Sequence, residues 1–269
     1  MIWRNAFWRR RVSLSTKTEP PVAVTEDSLL GGRVRFLQPA AGYRAAIDPV
    51  LLAAMAPAEA GMRVLDLGCG AGAIPLCLLA RVPELSVAGI EAEPEMCELA
   101  RRNAVLNGAA DRFEVRQGRI EARPPLFEEG AFDLVLANPP YQAPETADPS
   151  ANRLKAAAHV EANSVAADWI EAAFRALRHK GRFAMIQRAD RLADLLAPLD
   201  RRFGGIEVHP LYPKPGRRAK RVVLIARKGV RSPLALSSGI VLHNMDGSYS
   251  PAVAAALETG CALAPAPSE

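Results

Sequence analysis

Asn138-Pro139-Pro140-Tyr141 follows the apolar run Phe132-Asp133-Leu134-Val135-Leu136-Ala137 and lies downstream of Val64-Leu65-Asp66-Leu67-Gly68-Cys69-Gly70-Ala71-Gly72. These types and this order suit chemistry on a planar nitrogen. An Asn side-chain oxygen and the carbonyl of the next residue accept hydrogen bonds from an NH2 group. Two prolines restrict the backbone so that both acceptors stay aimed, and the ring of Tyr141 supplies a stacking surface. An isolated Asn-Pro-Pro-Tyr is more simply a proline-stiffened turn after a strand. Its position after a glycine loop favours function.

Gly68, Gly70 and Gly72 sit at a strand-to-helix turn, where absent Cβ atoms let the backbone approach a ligand and present amides at a helix N-terminus. The spacing is not the G-x-G-x-x-G of dinucleotide enzymes, because the third glycine falls one residue early and Asp66 stands within the strand end. No Gly-Lys-Ser/Thr follows, as a phosphate loop requires. Glu91, at the end of the next predicted strand, is placed to accept hydrogen bonds from two ribose hydroxyls. A ligand with a ribose and no phosphate, such as S-adenosylmethionine, fits this set better than a nucleotide.

The elements that must position these residues alternate along the chain. Apolar runs of strand length occur at Arg63–Leu67, Ser86–Ile90, Phe113–Arg116, Phe132–Ala137, Gly181–Ile186, Ile206–Leu211 and Val222–Ala226. Amphipathic segments at Ile74–Arg81, Pro94–Asn107, Ala166–Leu177 and Arg191–Leu199 separate them, the pattern of a doubly wound α/β sheet. Only a basic loop joins the last two strands, which makes them an antiparallel hairpin, since a parallel return needs a longer crossover.

The chain has 269 residues and is 49% hydrophobic, enough for one large core. The expected division is a basic arm over 1–25, one catalytic domain over 26–260, and a loose tail over 261–269. No apolar run approaches the roughly 20 residues of a membrane span, and no secretory h-region opens the sequence, so the expectation is a cytoplasmic protein. An Arg-rich start also matches a transit peptide. Cys69, Cys77, Cys97 and Cys261 lack metal-ligand spacing, which predicts no metal site and no disulfide framework.

Net charge is +5, but its distribution carries more information. Between Arg201 and Arg231 ten Lys or Arg face the single acid Glu207, which points to a polyanion partner. Lys214, Arg217, Arg218 and Lys220 fall in the loop between the last two strands and are the candidate contacts. Arg221 starts a strand and reads as structural. Trp169, Phe174 and Leu177 at helical spacing read as core, Asp48 before Pro49 as the cap of a helix Val50–Met55, and His159 as a structural hydrogen-bonder. Tyr43 and Arg44 either close over the cofactor or form a surface turn.

Taken together, Val64–Gly72, Glu91 and Asn138–Tyr141 resemble the S-adenosylmethionine-dependent amino-methyltransferases. The segment Phe36 to Ala53 is similar to the leading segment of bacterial tRNA1(Val) adenine N6-methyltransferases, and the likeness runs from about Leu29 to Tyr249, including Asp246-Gly247-Ser248-Tyr249. The resemblance implies a Rossmann-like class I methyltransferase fold with a seven-stranded, mostly parallel sheet and an antiparallel hairpin at its end. It implies that Asp66, Gly68, Gly70, Gly72, Glu91, Gly118 and Arg119 hold S-adenosylmethionine, that Asn138 and the Pro139 carbonyl hold the target NH2, that Pro140 stiffens the turn, and that Tyr141 stacks on the base. It further implies a tRNA partner and leaves the oligomeric state open. Arg119 departs from the family, which usually carries an Asp there for the cofactor adenine. A protein glutamine N5-methyltransferase, a ribosomal RNA or DNA amino-methyltransferase, and a non-catalytic RNA-binding module are the alternatives.

Overall fold

The computed structural model describes residues 23–40, 47–123, 125–140 and 166–264. The arm through residue 22, Tyr43, Arg44, Tyr141, His159 and the tail beyond residue 264 lie outside the described residues.

Seven strands form the central sheet where the apolar runs predict them: β3 (Arg63–Leu67), β4 (Ser86–Glu91), β5 (Phe113–Gln117), β6 (Phe132–Ala137), β7 (Leu177–Arg188), β8 (Phe203–Tyr212) and β9 (Arg221–Lys228). β3 through β7 pair in parallel, and β9 is antiparallel to both β7 and β8. The hairpin is therefore present, with β9 inserted between two strands of common direction. Two strands of two residues each, β10 (Ala235–Leu236) and β11 (Ile240–Val241), pair with β8 and widen the sheet to nine. A separate antiparallel hairpin, β1 (Val24–Leu29) with β2 (Val34–Pro39), precedes it. Residues 24 and 25, assigned to the arm on sequence, are thus part of a strand.

One apolar cluster on the sheet gathers residues of α1 (Ile47–Met55), α2 (Ala73–Arg81), α3 (Pro94–Leu106), β2 and α6 (Pro251–Thr259). The second gathers α4, over 166–176, and α5 (Leu192–Asp200). Burial on both faces is the reason the parallel strands read as continuous apolar runs rather than alternating ones. The sequence reading has no helix at α6. Its signal was Pro251 at the first helical position and Gly260 just past the end, at φ +72°. Past α6 the chain is anchored, not loose, as far as Leu263, which is buried and whose N–H donates to the Ala54 carbonyl at 2.9 Å.

Asp48 is not a cap. It lies inside α1, is buried, and its Oδ2 accepts from Arg221 Nε at 2.8 Å. Arg221 is the first residue of β9 and is structural, as expected.

Candidate active site

Strand order reverses in the sheet at β3: β4 and β5 lie on one side of it and β6 on the other. In open α/β sheets the crevice beyond the carboxyl ends of strands at such a switch point is where ligands bind. Leu67 pairs with Ala137 and with Ile90, so Gly68, Glu91 and Asn138 leave three adjacent strands side by side. A cavity of about 570 Å³ opens there, lined among others by Gly68, Gly70, Glu91, Gly118, Arg119 and Asn138. This is the size of a small-molecule or cofactor site.

The glycine loop takes its shape from backbone that other residues rarely adopt. Gly68 has φ +62°, and a Cβ there would come within 2.4 Å of the Trp169 ring. Gly72 has φ +92°, and its Cβ would meet Phe113 at 2.8 Å. Trp169 is therefore core, as its spacing predicts, but it also supports the loop and lines the cavity. Leu177 opens β7 rather than ending α4, and Phe174 meets Phe203 edge to face, centroids 5.6 Å apart.

Glu91 is held by two backbone donors. The Gly70 N–H donates to Oε2 at 2.8 Å and the Glu93 N–H to Oε1 at 2.9 Å. A carboxylate has about four lone-pair sites, so one on each oxygen remains for a pair of vicinal hydroxyls while the backbone fixes the carboxylate plane. Beside it, burial pushes the Cys97 thiol up to about 11, and its Sγ–H donates to the Glu91 carbonyl.

Asn138 follows β6 directly, and its Oδ1 is buried without a hydrogen-bond partner. A buried amide oxygen without a partner is costly, and Asn138 lines the ligand cavity. Pro139 is buried, and exposed Pro140 lines the rim. Asp66 differs from expectation. It is wholly buried in β3, lies outside the cavity lining, and neither carboxylate oxygen has a partner. Burial, with the nearby charge of Glu91 adding to it, holds its carboxyl well above the usual range. Arg119 reaches the rim with its side chain 77% exposed and pairs with Glu121, 3.3 Å away, which also lines the cavity.

Three residues at or behind the cavity wall have no site role in the sequence reading. Phe36 and Gln38 of β2 close one side. Asn103 of α3, fully buried, holds them in place through Leu37 and also donates to the Ala71 carbonyl of the glycine loop at 3.0 Å. A polar residue amid the apolar stripe of a helix was the available signal.

The basic run divides. Arg201, Arg202, Arg227, Lys228 and Arg231 lie at the opposite end of β8 and β9 from the site. Arg202 pairs with Glu171 at 2.6 Å, and Lys228 donates to the Phe174 and Leu177 carbonyls where α4 ends. β8 is parallel to β7, so the 213–220 loop opens on the same edge as Asn138. Lys214, Arg217, Arg218 and Lys220 all lie there; Arg217, Arg218 and Lys220 are exposed, and among the described residues none of these three forms an ion pair.

The donor set fits a ribose-bearing cofactor without phosphates: an anchored carboxylate, a glycine cradle and an unpaired amide oxygen. No group of metal-binding side chains occurs among the described residues, and none of their helices is long and apolar enough to cross a membrane. A methyltransferase-domain family matches residues 58–203. The tRNA1(Val) (adenine(37)-N6)-methyltransferase of Porphyromonas gingivalis is 31% identical over 225 residues, covering 80% of this chain and 87% of that protein. Its Yersinia enterocolitica counterpart is 39% identical over 104 residues, a match spanning 37% of this chain and 40% of that protein. A crystal structure of a predicted O-methyltransferase from Agrobacterium tumefaciens superposes with TM-score 0.68 at 28% identity, over 81% of this chain and 98% of that one. TrmN from Thermus thermophilus, at TM-score 0.50 and 24% identity over 67% of this chain and 48% of that one, supports the fold alone. The chain therefore belongs to the class I methyltransferase family that includes the tRNA1(Val) (adenine(37)-N6)-methyltransferases.

Proposed function

We propose that this protein methylates the exocyclic N6 of an adenine in tRNA, next to the anticodon, with S-adenosylmethionine as the methyl donor. The observation that carries the reading is the buried, unpartnered Oδ1 of Asn138 at the cofactor cavity. When bound, S-adenosylmethionine supplies a methyl group activated by a sulfonium.

Everything else falls to the protein. Glu91 orients the ribose, and Gly68 and Gly70 let the backbone approach the ligand closely. Asn138 Oδ1 and the Pro139 carbonyl accept the two hydrogens of the target amine. An exocyclic amine is a poor nucleophile because its lone pair is delocalised into the ring; two fixed acceptors favour the tetrahedral nitrogen that frees it. This is preorganised electrostatics and positioning, with no strong base required. Tyr141 stacks on the base in this reading. The adenine must leave its own stack to enter, which costs a few kcal/mol and least in a single-stranded loop. Lys214, Arg217, Arg218 and Lys220 hold the phosphates on the same edge, and the working place is the cytoplasmic tRNA pool.

A carboxamide NH2 would satisfy the same acceptors, which keeps protein glutamine N5-methylation as the second reading. Purified tRNA, ribosomal RNA and release factors are incubated with isotopically labelled S-adenosylmethionine, and the product is identified by mass spectrometry. N6-methyladenosine in tRNA is the expected result; label in a release factor alone overturns it.

A further inference from the structure

The turn that closes the 242–250 segment stands beside the basic loop. β11 pairs in parallel with the end of β8, so His243 emerges next to Pro213: its backbone N–H donates to the Pro213 carbonyl at 3.2 Å, and its Nδ1 lies 3.1 Å from the same oxygen. The His243 ring stacks on Tyr249, centroids 4.6 Å apart and planes 27° from parallel. Lys214 Nζ donates to the Met245 carbonyl at 3.1 Å, joining turn to loop. Tyr249 is 41% exposed and Met245 70%.

The exposed ring is not needed to close the turn. Asn244 N–H to the Ser248 carbonyl, Gly247 N–H to the Asn244 carbonyl, Ser250 N–H to the Leu242 carbonyl and the Asp246–Ser248 contacts do that already. A partly exposed aromatic ring on a hydrogen-bonded turn, beside a loop whose Arg217, Arg218 and Lys220 are exposed and form no ion pair among the described residues, is the composition that binds single-stranded nucleic acid: the cations follow the backbone and the ring takes a base. Asp246, in the same turn, accepts from the Ser248 hydroxyl and backbone and lies near the Lys214 charge.

Resting on the tRNA reading above, we propose that Tyr249, backed by His243, is a stacking seat for an unpaired base of the RNA other than the methylated adenine. From β6, which carries Asn138, to β11 is four strand spacings across β7, β9 and β8, roughly 19 Å at ~4.8 Å each. Roughly five or six nucleotides at stacked spacing cover that distance, so the seat takes a base from the same loop as the target, and Arg217 and Arg218 meet the phosphates between.

The test measures binding of tRNA, of a single-stranded oligoribonucleotide and of heparin, a polyanion without bases, by wild type, Tyr249→Leu and Tyr249→Phe. Melting temperature and S-adenosylmethionine affinity monitor the fold. Tyr249→Leu should weaken both RNAs about five- to hundredfold, the worth of one stacked base, with the salt slope unchanged. Tyr249→Phe should stay close to wild type, and heparin binding should not move. Equal RNA affinity in Tyr249→Leu, or an equal loss on heparin, overturns the seat. An abasic scan of the oligonucleotide against wild-type protein needs no variant: one position besides the target should weaken binding by a similar factor, and a flat scan overturns the proposal. Wild-type protein that binds no RNA removes the tRNA reading itself, an outcome distinct from failure of the seat alone.

Discussion

Asn103 pairs with Leu37 through both halves of its side-chain amide: the Leu37 N–H donates to Oδ1 at 2.7 Å, and Nδ2 donates to the Leu37 carbonyl at 2.8 Å. A helix side chain thus behaves as the neighbouring strand that β2 lacks on that edge. One turn further, Asn107 repeats the pattern with Arg35, accepting at 2.9 Å and donating at 2.7 Å. The hairpin carrying Phe36 and Gln38 is clamped to α3, and the same Asn103 amide reaches the glycine loop.

Replacing Asn103 with Leu leaves Leu37 and Ala71 polar groups buried without partners, at about 1–3 kcal/mol each. The variant should melt several degrees lower and bind S-adenosylmethionine more weakly. Thermal melting and calorimetry check this; unchanged cofactor affinity would detach β2 from the site.

Glu91→Ala removes the anchored carboxylate. Cofactor binding should weaken by about 1–3 kcal/mol through loss of charge-assisted hydrogen bonds, while NAD binds neither protein. Titration calorimetry of wild type and variant decides it, and equal affinities would place the ribose elsewhere.

Asn138→Ala should lower turnover about a hundredfold or more, with S-adenosylmethionine affinity within a few fold, because the lost acceptor acts on the amine as it becomes tetrahedral. Single-turnover methylation and cofactor titration separate the two effects. Full activity in this variant would eliminate the acceptor mechanism.

Asp66 carries the pH dependence. Its carboxyl titrates well above its ordinary 3.8 because it is buried, with Glu91 adding to the effect. Above that ordinary value the folded protein therefore holds a proton that the unfolded chain releases, and stability falls as pH rises toward the folded-state value. Ligand-free Asp66→Asn, which cannot ionise, should lose less stability over the same range and melt at or above wild type at pH 8. A lower melting point for the variant at pH 8 would mean that Asp66 is ionised and paired.

Changing Lys214, Arg217, Arg218 and Lys220 together to Ala should weaken tRNA binding and flatten its salt dependence, by a slope of about one per true phosphate contact. Cofactor affinity should hardly move. Identical slopes in a salt series would reduce the loop to a solvated face and favour the protein-glutamine reading.

Local pattern was enough for the parts of the site that follow strands directly. Gly68, Glu91, Gly118 and Asn138 each sit one step past or at the end of a strand, and apolar runs bounded by turns report strand ends within a residue or two. The alternation of strands and helices then placed those ends on one edge, and the short 213–220 connection identified the antiparallel hairpin. What lies side by side across the sheet is not written in local spacing. It follows from which strands pair, and only tertiary structure decided it. That pairing put Asp48 against Arg221, sent half of the basic run to the far edge, brought Trp169 beneath Gly68 and His243 beside Pro213, and buried Asp66 out of the cavity. Asn103 stayed hidden for the same reason. Its partners are 66 and 32 residues away in sequence, and a buried amide on an apolar helix face has no meaning until the strand edge it completes is in place.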